Sequence, residues 1–239
     1  MLYDERQARA YDDRYADRSA EVGPLADFLA ALGSPGPVLE LGIGTGRLAL
    51  PLVERGLDVH GIDASEPMVA RLRAKPGGDR LQVVVGDFAD VDALVDGHYR
   101  LVFVAFNSLF ELESQEEQVR CFSGVSRHLS PGGVFVVEAF APDLSRLEQH
   151  LSVSMLGADE VRLQATRHDP LEQRVAGHSV SITDAGVGLW PWAIRYASVP
   201  ELDLMARLAG LRLRERWGGW AREPFTAAST RHVSVYERG

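Results

Sequence analysis

A chain of 239 residues, 46% apolar and with a mean hydropathy of -0.08, is long enough for one large α/β domain, alone or with a lid. Its formal net charge of -9 and pI near 5.3 disfavour polyanionic partners, nucleic acid among them. No apolar run reaches the roughly 18 residues that cross a bilayer, and Met1-Leu2-Tyr3-Asp4-Glu5-Arg6 lacks the apolar stretch of a secretory signal.

Residues from about 4 to 33 predict two helices broken around Gly23-Pro24, the second carrying the apolar face Leu25, Phe28, Leu29 and Leu32. Strands are predicted at Val38–Leu41, Val59–Asp63, Leu81–Val85, Leu101–Ala105 and Val134–Glu138, the last entered through Ser130-Pro131-Gly132-Gly133. Helices fall between them near 47–55, 66–74 and 114–129. Strands apolar throughout and alternating with helices predict a mostly parallel, Rossmann-like sheet covered on both faces. Cys121, the one cysteine, allows no intrachain disulfide and suits a reducing cytoplasm. Set among Val119, Phe122 and Val125, it reads as a packed thiol.

After Pro142 the pattern changes. Turn signals at Asp169-Pro170 and Asp184-Ala185-Gly186 divide three predicted antiparallel strands, about 160–168, 173–182 and 188–197. A helix follows from Pro200 to Ala209, then two strands, about 211–217 and 231–237. The expected organisation is one domain: an N-terminal helical lid (1–35), a core (36–142), an antiparallel cap insertion (143–199), and a C-terminal helix and hairpin (200–239) that complete a seven-stranded sheet.

The chemistry concentrates at Glu40-Leu41-Gly42-Ile43-Gly44-Thr45-Gly46-Arg47. A buried strand feeds a turn of alternating glycines, where a Cβ would block a ligand and resist positive φ. Asp63 ends the next strand twenty-one residues beyond Gly42, where a carboxylate typically accepts hydrogen bonds from a ribose. Its alternative role is to cap the helix that starts near Ser65-Glu66-Pro67. Arg47 stands where a dinucleotide fingerprint wants glycine, so the pattern favours a nucleoside without a pyrophosphate. Glu40, between leucines, needs a partner: either a cofactor ammonium or the backbone N–H groups of the turn.

Four ordered segments carry a family resemblance: Glu40 to Gly46, Gly61-Ile62-Asp63-Ala64-Ser65, Gly86-Asp87-Phe88, and Ser130-Pro131-Gly132-Gly133. Over residues 37–140 the chain resembles the class I S-adenosylmethionine-dependent methyltransferases. The resemblance implies that Gly42, Gly44 and Gly46 wrap the methionine part of S-adenosylmethionine, that Asp63 with Ala64 holds the ribose, and that Asp87, Phe88 and Met68 meet the adenine. Tyr15, Glu40 and Phe106 join this cofactor set. Tyr11-Asp12-Asp13-Arg14-Tyr15 is similar to the N-terminal helix of small-molecule members such as amino-sugar N-methyltransferases and glycine N-methyltransferase-like enzymes, and implies a small-molecule acceptor.

For that acceptor the candidates are Tyr11, Asn107, His168 and Arg195, as positioning groups or base. Tyr11 and Tyr15, four apart, share a helix face and could serve packing alone. Asn107 follows a strand at the ligand-binding edge of the sheet, or is a turn residue bonded locally. Arg195 could grip an acidic acceptor bidentately or form an ion pair. His168 and His178 are bases or solvated strand residues. All four tryptophans follow residue 189, as acceptor pocket or as packing. No histidine spacing or cysteine pair suggests a metal. The oligomeric state is open, a homodimer included. Three alternatives remain: an NAD(P)-dependent oxidoreductase, a non-catalytic S-adenosylmethionine-binding protein, and an interaction protein on the same fold.

Overall fold

The computed structural model describes residues 3–15, 19–143 and 150–239; residues 1–2, 16–18 and 144–149, the last within the expected cap insertion, lie outside the described residues. Helices α1 (Glu5–Arg14) and α2 (Ser19–Gly33) come first. Asp4 opens α1 with a capping box, its carboxylate accepting from the Gln7 N–H while the Gln7 side chain accepts from the Asp4 N–H. The expected break at Gly23-Pro24 does not occur. Pro24 forfeits one amide bond near the start of α2, and burial of Leu25, Ala26, Phe28, Leu29 and Leu32 outweighs that loss. Helix α1 ends at Arg14, with Tyr15 as its C-cap.

Strands and helices then alternate: β1 (Val38–Leu41), α3 (Ala49–Glu54), β2 (Val59–Asp63), α4 (Glu66–Arg73), β3 (Gln82–Val85), α5 (Val91–Leu94), β4 (Tyr99–Val104), α6 (Gln115–His128) and β5 (Leu129–Phe140). Next come β6 (His150–Leu156), β7 (Glu160–Asp169), β8 (Arg174–Thr183) and β9 (Gly186–Arg195), followed by α7 (Val199–Leu208), β10 (Leu211–Trp217) and β11 (Arg231–Arg238). The main sheet has the order β10-β11-β5-β4-β1-β2-β3, with β11 antiparallel to both neighbours and the other pairs parallel. This is the seven-stranded, mostly parallel α/β sheet expected.

The core lies on both sides of that sheet because successive side chains alternate faces. Leu101 and Phe103 of β4 pack with α2 and α3, while Val102 and Val104 pack toward α6 and α7. Cys121 is buried in the second cluster, and burial pushes its thiol pKa up, as an inert packed thiol requires. Two boundaries differ from expectation. β5 starts at Leu129 directly after α6 and takes in the Ser130–Gly133 segment, at the cost of a register shift against β4. The second sheet has four strands, not three, in the order β6-β7-β8-β9. Leu151 and Val153 of β6 alternate with serines, a period-two signal present in the sequence but carried by exposed side chains of an edge strand.

Arg195, at the end of β9, ties the second sheet to the helices beneath. Its guanidinium donates to Gln118 Oε1 of α6, to Gln173 Oε1 and to Glu201 Oε1 of α7, each at 2.6 Å. The Gln118 amide returns a bond to the Arg195 carbonyl at 2.8 Å. The ion pair is enclosed, its side chains 6% and 15% exposed. Although burial works the other way, the bonds from Arg195, Gln173 and Gln115 hold the Glu201 carboxyl below its usual range. Replacing Arg195 with methionine leaves a buried carboxylate and an amide without their partner, at an expected cost of about 3–5 kcal/mol. Thermal denaturation reads this as roughly 2–4 °C of Tm per kcal/mol; a Tm equal to that of the parent contradicts the clamp.

Candidate active site

The glycine turn hangs from the end of β2. Gly42 and Ile43 donate their N–H groups to the Ile62 carbonyl at 2.8 and 3.0 Å. Asp63 closes the arrangement: Oδ2 accepts from the Gly44 N–H at 2.7 Å and Oδ1 from the Ser65 N–H at 2.8 Å. The side chain of Ser65 caps α4 and also donates to the Tyr3 carbonyl at 2.8 Å. The cap of α4 is therefore Ser65 and not Asp63, whose carboxylate holds the Ser65 amide just ahead of the helix and also borders a cavity. Burial raises its pKa, against the pull of the two amide bonds. Gly42 and Gly44 hold φ of 73° and 56°, and a Cβ on Gly44 would lie 3.4 Å from Met68 Cε, in the space between turn and helix.

Two joined lobes open at the carboxyl edge of the sheet, with about 480 and 330 Å³ of empty volume. Tyr11, Gly42, Gly44 and Ser108 border both. Asp63, Ala64, Met68 and Phe88 are among the other residues of the first, and Glu40, Arg47 and Phe106 among those of the second. Glu40 accepts a backbone N–H bond, but from Ala49 at the start of α3 and not from the glycines of the turn. It is 5% exposed, and its Oε2 has no hydrogen-bond partner among the described residues. Burial raises its pKa well above the carboxylate range, with Arg47 opposing and Asp63 reinforcing the shift. Arg47 stacks its guanidinium over the Phe106 ring at 3.3 Å, and the Phe106 N–H donates to Glu138 Oε2 at 2.5 Å.

Helix α1 lies across these lobes. Thr45 Oγ1 donates to Asp12 Oδ1 at 2.6 Å, and the Lys75 ammonium donates to the same carboxylate and to the Thr45 carbonyl at 2.8 Å. Burial alone would raise the Asp12 pKa, but the bonds from Thr45 and Lys75 hold it low. Tyr3 meets Tyr11 edge-on at 5.6 Å and Trp190 at 6.0 Å. Beyond Tyr3 a third cavity runs under β9, walled by Gln7, Glu111, Trp192 and Ile194; Tyr3 and Glu111 also border the first lobe.

Several predicted residues gather here and several do not. Tyr11, Glu40, Gly42, Gly44, Asp63, Ala64, Met68, Phe88 and Phe106 all line the lobes. Gly46, with φ of 77°, stands behind the wall, where a Cβ would meet Leu72 Cδ1 at 2.2 Å. Tyr15 stacks its ring 4.7 Å from Tyr11 without reaching a lobe. Asp87 is exposed and caps the short turn at Phe88–Asp90, Oδ1 accepting from the Ala89 N–H at 2.8 Å.

Most of the acceptor set needs correction. Asn107 adopts a left-handed turn (φ 64°) and its Oδ1 accepts from the Phe140 N–H at 2.7 Å, so its side chain braces the backbone. His168 Nε2 pairs with the Tyr196 hydroxyl at 3.0 Å on the second sheet, away from the lobes. Arg195 is held in the clamp described above. Sequence reasoning missed Tyr3, Ser108, Glu111 and the position of Trp192. Glu111 lies four residues beyond Asn107 at the same edge of the sheet, and Tyr3 lies eight residues before Tyr11; those spacings were the available signals.

A family model described as a methyltransferase domain matches residues 38–133. The cypemycin N-terminal methyltransferase of a Streptomyces species is 31% identical, over 99% of this chain and 98% of its own. The solved CcbJ methyltransferase of Streptomyces caelestis is 41% identical with a TM-score of 0.86, covering 99% of this chain and 100% of its own. CalS10, an amino pentose methyltransferase of Micromonospora echinaspora solved with S-adenosylmethionine bound, shares the fold at 21% identity and a TM-score of 0.71, covering 100% and 99%. The likeness spans both sheets and not the nucleoside-binding core alone. This chain belongs to the S-adenosylmethionine-dependent methyltransferases.

Proposed function

We propose that this enzyme methylates the amine nitrogen of a small molecule seated between α1, acting as a lid, and the second sheet, acting as a cap. One observation carries the reading: Glu111 is the charged side chain among the described residues lining the cavity under β9, in a wall otherwise of Tyr3, Gln7, Pro191, Trp192, Ala193 and Ile194. A lone carboxylate among aromatic and apolar groups suits an acceptor that arrives as a cation and rejects an acidic one. The cypemycin relative, named for methylation at an N terminus, supports this choice. In this reading the acceptor is neither nucleic acid nor a membrane component, in keeping with the net charge of -9, and the enzyme works in the cytoplasm.

The lobes fit the cofactor. The unpartnered Glu40 oxygen has the charge and position to take the α-ammonium, the Gly42–Gly44 cradle would be filled by any Cβ, and Asp63 retains acceptor capacity for the ribose hydroxyls. Met68 and Phe88 supply apolar faces for the adenine, and Asp87 beside Phe88 its polar contact. When bound, S-adenosylmethionine supplies an electrophilic methyl on a sulfonium. The chain's own task is alignment, for which well-oriented reactants reach effective molarities of about 10⁵–10⁸ M. Tyr11 bridges both lobes and positions the acceptor over the methyl, and the Asp12–Lys75–Thr45 contacts keep α1 closed over it.

Free Glu40 holds its proton above the ordinary carboxylate range because it is buried, and an ammonium placed beside it lowers that pKa. Binding of S-adenosylhomocysteine therefore releases a proton at any pH where the free carboxyl is still protonated, and affinity rises with pH until it has ionised. Calorimetry in buffers of different ionisation enthalpy should detect the release in the parent and not in Glu40→Gln. That variant should bind about 10–150-fold more weakly, the loss of a charged hydrogen bond worth about 1.5–3 kcal/mol. Equal affinity and no proton release in the parent would remove Glu40 from the ammonium site. Asp12→Ala should weaken the same ligand about fivefold, near 1 kcal/mol, with faster amide exchange in α1; unchanged exchange contradicts the latch.

A further inference from the structure

Resting on the amine reading above, we infer that Glu111 is the proton acceptor of the reaction: its carboxylate first pairs with the acceptor's ammonium and then takes the proton that frees the nitrogen lone pair. The geometry supplies the grounds. Glu111 ends the short helical turn Ser108–Glu111 that follows β4, at the carboxyl edge of the sheet. It borders the first cofactor lobe, together with Gly42, Gly44 and Asp63, and it also borders the cavity under β9. A carboxylate that borders both spaces is placed to meet an amine reaching from one toward the other. Glu111 is partly buried and borders both cavities.

The surroundings set its proton affinity. Burial pushes the Glu111 carboxyl up to about 7, and the nearby Asp63 carboxylate adds to the shift. A base is most effective when its pKa lies near the working pH. The other titratable groups facing it among the described residues are Tyr3 and Tyr11, whose phenols burial raises further, so neither ionises near neutrality. From β9 come Pro191, Trp192, Ala193 and Ile194, none titratable, and from α1 the neutral Gln7.

The step balances. An ammonium and a carboxylate become a free amine and a carboxylic acid. The nitrogen lone pair then forms the new N–C bond as the methyl's C–S bond breaks, its electron pair leaving with a neutral thioether. Positive charge passes from sulfur to the methylated ammonium, and Glu111 returns its proton to solvent when the acceptor space opens. A primary amine can repeat the cycle, because its product still carries a proton for Glu111 to remove.

The test uses Glu111→Gln in the full chain, with Glu111→Asp as the conservative variant. A short peptide with a free N terminus and glucosamine serve as acceptors, each against its N-acetylated form. The parent should methylate a free amine and not the acetylated form, with kcat/KM rising through an acid limb near pH 7. Glu111→Gln should still bind S-adenosylhomocysteine, and its rates are compared with the parent's at saturating S-adenosylmethionine. Its kcat/KM should fall on the order of 10²-fold at neutral pH, and the limb should move up toward the acceptor's own pKa, so that alkaline pH restores much of the rate. Glu111→Asp should keep the limb. A uniform loss at every pH with the limb retained overturns the proton-acceptor role and leaves the amine reading standing. Transfer to the acetylated forms alone overturns the amine reading itself.

A second measurement needs no turnover. Protein labelled with ¹³C at the glutamate carboxyls and bound to S-adenosylhomocysteine is titrated by NMR with and without methylammonium, against equal sodium chloride. The resonance absent from Glu111→Gln should titrate near pH 7 and shift to lower pH with methylammonium. A titration at the ordinary glutamate range, or one that methylammonium does not move, overturns the inference whether or not an acceptor is found.

Discussion

The Asp63 carboxylate, bonded at once to the Gly44 and Ser65 amides, is the joint on which the site depends. One oxygen fixes the glycine turn leaving β1 and the other fixes the start of α4 leaving β2. The two parallel strands thus deliver their loops to one edge in a set relation. A ligand that enters meets amides already ordered and a carboxylate already partly desolvated, so little further ordering is required on binding. Ser65 extends the same joint to the Tyr3 carbonyl and so to the N-terminal segment.

From that joint three layers of chemistry follow. Closest are the lobes bordered by Gly42, Gly44 and Glu40, with a buried carboxylate oxygen lacking a partner among the described residues. Above them α1 is pinned by Asp12, to which the chain's single lysine is committed. Beyond Tyr3, Glu111 is the one charged side chain among the described residues that line the cavity under β9. In the proposed reading, each carboxylate has its own cationic or hydroxylic counterpart: Glu40 an ammonium, Asp63 a ribose, Glu111 the acceptor amine. Their different surroundings separate their tasks. Glu40 is enclosed beside a guanidinium, Asp63 holds two amides, and Glu111 sits at a passage.

The sheet and the cofactor edge were legible in the sequence because both rest on local signals. Apolar strand runs at regular spacing fix a parallel sheet, and a turn of alternating glycines with an acid after the next strand is a short-range pattern. The acceptor side was not legible, because it is assembled by contacts remote in sequence. Arg195 and Gln118 lie seventy-seven residues apart, and nothing near either one announces the clamp. Asn107 stood at the right edge, yet its side chain turned to the Phe140 amide, which a left-handed residue there can reach. Glu111 carried no sequence signal of its own; it shares a cavity with Pro191 to Ile194 of β9, eighty residues on. Pro24 misled for the opposite reason, since a strong local breaker yielded to tertiary burial.

In the proposed reading one cleft, organised by Asp63, receives an adenosyl group whose ribose and ammonium ends are read by two separate carboxylates. A crystal structure with S-adenosylhomocysteine tests it most directly. The account predicts the adenine between Met68 and Phe88, both ribose hydroxyls on Asp63, and the α-ammonium within hydrogen-bond distance of Glu40. A nucleoside seated elsewhere, or one that leaves Asp63 and Glu40 without contact, contradicts it.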